Sequence, residues 1–142
     1  MVKYAIILAG GKGERLRPFT NDRPKPLVEV GGKPILSYQL SQLTKAGITE
    51  VVFACSYYHE ALQNHVDSGS KYGIEAHFSI EETPLGRGGG IKKAMKMLPR
   101  DWDQVMIVNG DNLWKLDLDG LVQKHEERKT IASHDNFLFF DI

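Results

Sequence analysis

Between Leu8 and Leu27 the chain reads LAGGKGERLRPFTNDRPKPL, which carries Arg15, Arg17, Arg23 and Lys25, with Lys12 on a glycine turn. Glycines let backbone N–H groups approach an oxyanion closely, and a guanidinium offers its oxygens a planar fork. The combination points to phosphate. It matches neither standard phosphate loop. A Walker loop needs Lys-Ser or Lys-Thr after its last glycine, whereas Gly13 is followed by Glu14 and Arg15. The dinucleotide fingerprint fails at its third glycine position, where Leu16 stands. A dinucleotide-binding oxidoreductase would also close its second strand on an acidic residue for the ribose, and FACSYY offers none.

Pro24 and Pro26 flank Lys25. Each proline pushes the residue before it towards extended backbone, so Lys25 is expected on a stiff, extended segment, aimed at an anion at small entropic cost. A second glycine cluster, ETPLGRGGGIKKA at 82–94, holds four glycines in five positions. It reads as a loop that passes beneath a flat ring or a phosphate, with a helix N-terminus and its partial positive charge behind it. A fourth chemical signal is NGD at 109–111. Asp111 would lie just past the carboxyl end of a buried strand, where open α/β sheets bind ligands, a position suited to a divalent cation.

Four runs predict the strands that must carry these groups: YAIILA (4–9), EVVFAC (50–55), IEAHFSI (74–80) and QVMIVN (104–109). They are nearly continuous in apolar residues, the pattern of a parallel sheet covered on both faces. Only the third alternates, with Ile74, Ala76, Phe78 and Ile80 on one side, which suggests a more exposed position. Helices are predicted from Pro34 to Gly47, over YHEALQNHV, over GGIKKAMKML, and from an N-cap at Asp117 or Asp119. The alternation gives one three-layer α/β domain with a mostly parallel sheet. After Ala132 a further strand is expected to begin, with nothing visible to pair with.

Lys+Arg and Asp+Glu are equal at 18 each, so a cationic site must be a local cluster and no overall field would draw nucleic acid. Cys55 is the one cysteine, which excludes an intrachain disulfide and reads as a buried, inert thiol. The five histidines show no metal-ligand spacing. No run is long enough to span a bilayer and no signal peptide is visible, so a cytoplasmic, membrane-free protein is expected.

Taken in order, LAGGKGERLRPFT, PKPLVEVGGKPI, PLGRGGGIKKA and the strand ending in NGD resemble the sugar-phosphate nucleotidylyltransferases, or nucleotide-sugar pyrophosphorylases. The likeness runs from about Val2 to Ala132. It implies the Rossmann-like nucleotide-diphospho-sugar transferase fold, and a reaction in which a sugar 1-phosphate oxygen attacks the α-phosphorus of a nucleoside triphosphate and pyrophosphate leaves. Carried onto these positions, the amides of Gly10, Gly11 and Gly13 would wrap the triphosphate. Arg15 would neutralise the leaving pyrophosphate, Lys25 would bridge the α-phosphate region and the incoming sugar phosphate, and Asp111 would hold Mg²⁺. Leu8, Ala9, Pro84, Leu85 and Gly86 would line the nucleobase pocket, with Gly88 close by.

The PLGRGGG form looks most like mannose-1-phosphate and heptose-1-phosphate guanylyltransferases, which favours GTP. Two departures stand out. The family usually has Thr where Glu14 stands. Its catalytic domains also run on for roughly another hundred residues, so 1–142 is expected to be the nucleotide-binding portion, without the sugar-binding portion. FFDI at 139–142 resembles the start of the family's second metal motif, and the expectation is chance or an abnormal terminus, with no role for Asp141. A nucleotide-binding module without catalysis is therefore the alternative reading, and a homo-oligomer is possible in either case.

Overall fold

The computed structural model describes residues 2–115, 117–128, 132–134 and 138–141. Its elements are β1 (Tyr4–Ala9), a short hairpin of β2 (Glu29–Val30) and β3 (Lys33–Pro34), α1 (Ile35–Lys45), β4 (Glu50–Cys55) and α2 (His59–Val66). They continue with β5 (Glu75–Ile80), α3 (Gly86–Met95), β6 (Gln104–Asn109), α4 (Leu118–Arg128), β7 (Ala132–His134) and β8 (Leu138–Asp141). The sheet order is β5-β4-β1-β6-β8-β7. β5, β4, β1 and β6 run parallel, β8 adds antiparallel to β6, and β7 adds antiparallel to β8.

The apolar runs become strands because both faces of the sheet are covered. On one face Ile7, Val51, Phe53 and Met106 pack with Leu36, Leu40 and Leu43 of α1, Leu62 and Val66 of α2 and Leu118 of α4. On the other, Ile6, Val52, Ala54, Val105 and Ile107 pack with Ile91 and Ala94 of α3. This is the expected three-layer α/β arrangement. The alternating strand β5 lies at the sheet edge, its Phe78 stacked on Phe53 with ring centroids 5.3 Å apart. Asp117 is the N-cap of α4, its Oδ1 accepting the Gly120 N–H at 3.0 Å.

Three expectations are corrected. Lys25 is not extended: Lys25–Leu27 forms a single 3₁₀ turn, closed by the Leu27 and Val28 N–H groups on the Pro24 and Lys25 carbonyls. Pro26 is tolerated there because a first helical turn does not need its missing N–H. The second glycine cluster is not a loop: α3 begins at Gly86 and contains all four glycines. Burial of Ile91 and Ala94 outweighs their low helix propensity. The strand after Ala132 does have a partner, since β8 pairs antiparallel along β6. Its register sets Asp141 beside Gln104, at the amino end of β6 and the far end of that strand from Asp111, in keeping with a chance likeness.

Cys55 is fully buried, and burial pushes its thiol up to about 11, with the nearby Glu81 carboxylate adding to the shift. The native chain is therefore expected to resist a thiol-reactive disulfide reagent at pH 8 and to react stoichiometrically once denatured. A thiol raised in the folded state also makes its full contribution below its ordinary pKa of 9.0 and loses it as pH climbs towards about 11. Denaturation midpoints should accordingly fall over that alkaline window.

Candidate functional site

All four parallel strands deliver residues to one cavity of about 360 Å³ at their carboxyl ends. Leu8 and Ala9 come from β1, Ala54 from β4, Glu81 from just past β5, and Asn109 and Asp111 from the end of β6. The chain runs outward from β1 through β4 to β5, then crosses back to β6 on β1's other side. Such a reversal of strand order is where open α/β sheets leave a crevice. Gly10 and Gly11 continue the wall from β1, Arg15 and Lys25 stand over it, and Pro84, Gly86, Arg87 and Gly90 close it from the α3 side.

Two of its charged groups form an ion pair. Lys25 Nζ lies 3.0 Å from Asp111 Oδ2, with the two side chains 20% and 39% exposed. Gly110 makes this meeting possible. Its N–H donates to the Leu8 carbonyl at 2.9 Å, and a Cβ there would stand 2.9 Å from both that oxygen and Pro26 Cγ. Backbone from β6 thus passes directly against the Lys25–Pro26 turn. Gly110→Ala is expected to cost about 1–3 kcal/mol of stability by overpacking, visible as a lower chemical-denaturation midpoint.

Two other cations of the opening stretch are engaged elsewhere. Arg23 makes a bidentate pair with Asp22 at 2.9 and 3.1 Å, and hydrogen bonding to Arg23 holds the Asp22 carboxyl below its usual range. Lys12 Nζ sits 4.9 Å above the Tyr57 ring. Arg15 and Lys25 are the ones of this stretch that line the cavity. Glu14, where the resemblance leads one to expect Thr, is exposed at the start of a 3₁₀ turn.

Nine of the twelve residues singled out from the sequence line the cavity: Leu8, Ala9, Gly10, Gly11, Arg15, Lys25, Pro84, Gly86 and Asp111. Gly13, Leu85 and Gly88 are not among its lining residues. Gly13 is buried with φ +66°, and a Cβ there would meet Thr20 Cγ2 at 2.8 Å and Lys25 Cγ at 3.1 Å. Thr20 Oγ1 donates to the Gly13 carbonyl at 2.6 Å, so this glycine shapes the turn beneath Lys25. Leu85 is 47% exposed, and Gly88 has open space around its α-carbon.

The sequence does not single out Glu81, Arg87 or Asn109 as site residues; all three line the cavity. Glu81 was accessible by the rule that drew attention to Asp111, since it too follows the carboxyl end of a strand. Glu81 Oε2 accepts the Leu85 N–H at 3.0 Å.

Among the described residues, Glu50, Glu75 and His77 form a cluster with ligand atoms within 4.8 Å of one another. It joins β4 and β5 near their amino ends, opposite the cavity, and sequence spacing could not reveal it because two strands supply it. No described helix is long and apolar enough to cross a membrane.

Comparison with known proteins decides the family. A family model described as nucleotidyl transferase matches residues 4–135. The chain belongs to the nucleotidyl transferase family. It is 41% identical over 122 residues to the D-glycero-alpha-D-manno-heptose 1-phosphate guanylyltransferase of Aneurinibacillus thermoaerophilus, covering 85% of this chain and 51% of that protein. It is 40% identical over 121 residues to the mannose-1-phosphate guanyltransferase of Pichia angusta, covering 84% of this chain and 33% of the relative. Among solved structures, HddC from Yersinia pseudotuberculosis complexed with GMP-PN superposes with a TM-score of 0.73 at 32% identity, over 87% of this chain and 54% of that one. The chain thus spans about half the length of the first of these relatives and a third of the second. The expected fold and family resemblance hold.

Proposed function

We propose that this chain supplies the nucleotide-binding and phosphoryl-handling part of a sugar-1-phosphate guanylyltransferase, which transfers GMP from GTP to a sugar 1-phosphate. One observation carries the reading: Arg15, Lys25 and Asp111 converge with glycine backbone on a single cavity at the carboxyl ends of the parallel strands. The names of its relatives favour guanine and a mannose- or heptose-type sugar.

In the proposed reaction a sugar-phosphate oxygen attacks the α-phosphorus, and the bond from that phosphorus to the bridging oxygen of the pyrophosphate breaks. Negative charge grows on the leaving group, and the protein's task is alignment and neutralisation. The Gly10 and Gly11 backbone admits the phosphate chain to close range. Arg15 takes the leaving side as a planar donor. Lys25 takes the entering side, and its pairing with Asp111 limits the positions its ammonium can adopt.

Mg²⁺ is the cofactor this reading implies, and the donor set fits it. Asp111 offers a partly exposed carboxylate at the cavity, and one or two carboxylates plus substrate phosphates are how Mg²⁺ is commonly held beside nucleotides. Bound there, the ion would offset triphosphate charge. The Glu50–Glu75–His77 cluster lies too far along the strands to share this task. A cytoplasmic location fits a nucleoside triphosphate substrate.

The test is to supply GTP, Mg²⁺ and mannose 1-phosphate or a heptose 1-phosphate and follow pyrophosphate release, with calorimetric GTP titration alongside. Binding with release supports the transferase. Binding without release supports the second reading, a nucleotide-binding module. Absence of GTP binding overturns both.

A further inference from the structure

Gln39 lies in the middle of α1 on the same buried stripe as Leu36, Leu40 and Leu43, and is 1% exposed. Its side-chain amide donates to the Asn109 carbonyl at 2.8 Å and to the Asn112 carbonyl at 2.7 Å. These two carbonyls bracket Gly110 and Asp111. One turn further along the helix, the Gln42 amide donates to the Trp114 carbonyl. The segment after β6 therefore hangs from α1 by two glutamine side chains, and on its other side the Gly110 N–H is fixed to the Leu8 carbonyl.

The geometry points to Gln39 as a positioning residue that fixes the Asp111 carboxylate for cation binding; this rests on the reading of Asp111 given under Proposed function. The amide spends both its donors on this one turn, while its Oε1 is buried with no hydrogen-bond partner. An apolar side chain of similar size would remove that unpaired acceptor together with both donors. What the glutamine contributes beyond an apolar residue is the pair of donors. The doubly tethered turn holds Asp111 against Lys25 within 3.0 Å, with Gly110 buried and Asp111 exposed. Groups that orient a metal-binding carboxylate from behind act on affinity for the ion, and their removal commonly costs 10–100-fold.

The experiment is Mn²⁺ binding to the chain in the presence of GTP, read by electron paramagnetic resonance, for the unaltered chain, Asp111→Ala and Gln39→Met. Calorimetric GTP binding without metal is measured in parallel. Gln39→Met is expected to weaken Mn²⁺ by about 10-fold while metal-free GTP affinity changes less than about 2-fold, a split that general loosening of the fold would not produce. An unchanged Mn²⁺ affinity in Gln39→Met, with Asp111→Ala impaired, overturns the inference and leaves the reading of Asp111 intact. An unchanged affinity in Asp111→Ala overturns the reading beneath it. If Gln39→Met does not fold, Gln42→Met loosens the same segment from a less buried site. It should then weaken Mn²⁺ in the same direction, and no change there overturns the inference.

Discussion

Lys25→Ala is expected to lower the rate of pyrophosphate release by about 10²–10³-fold, the range seen when one preorganised donor to developing charge is removed. The position explains the size. Lys25 Nζ pairs with Asp111 at 3.0 Å, so truncation removes a positive charge and leaves the Asp111 carboxylate at the cavity without its partner. GTP affinity should fall as well, by roughly 10-fold or less, because charge stabilisation is needed more as the leaving group departs than in the ground state. Stability should hardly move. Both members of the pair are partly open to solvent, and such pairs contribute about 0–1 kcal/mol. The measurement is therefore turnover, GTP affinity and thermal midpoint on the same preparation. Turnover unchanged within a factor of two would mean that Lys25 serves only as Asp111's counter-ion.

What the sequence displays and what it conceals divide along physical lines. β1, β4 and β6 coincide with their predicted runs because a strand buried on both faces must be apolar at nearly every position, and such a run is visible without its partners. Lys25 and Asp111 are 86 positions apart, and their contact depends on the parallel register that brings Gly110 against Leu8 and Pro26. The strand-end rule places Asp111 at the crevice, and only the fold brings Lys25 to it. Gln39 shows the opposite case. Its partners are backbone carbonyls 70 and 73 positions away, which carry no side-chain signature, so it reads as an odd polar residue on an apolar stripe. The start of α3 was hidden for a related reason. Four glycines argue locally for a loop, whereas the buried contacts of Ile91 and Ala94 make the segment helical.

Glu81→Gln is expected to reduce the preference for GTP over ATP and UTP by about 10–100-fold, the value of a hydrogen bond to a charged acceptor, about 1.5–3 kcal/mol. The guanine edge presents two adjacent donors, N1–H and the 2-amino group, and a carboxylate is the side chain with only acceptors to offer them. Adenine and uracil each place an acceptor on the corresponding edge, which a carboxylate repels. Glu81 lines the cavity just beyond β5, beside the glycine-rich start of α3. Glutamine retains one acceptor oxygen for the Leu85 N–H that Glu81 now holds at 3.0 Å, so the change tests base recognition with the loop still anchored. Gly90→Ala approaches the same carboxylate from behind. A Cβ at Gly90 would stand 2.4 Å from Glu81 Oε1, which forces the carboxylate to move without altering any charge. Both variants should lower GTP affinity, while Glu81→Gln alone should raise the relative affinity for a base bearing an acceptor at that edge. Competition titrations of GTP, ATP and UTP measure the ratio directly. A ratio unchanged in Glu81→Gln would remove Glu81 from base recognition and leave it as the anchor of the Leu85 amide.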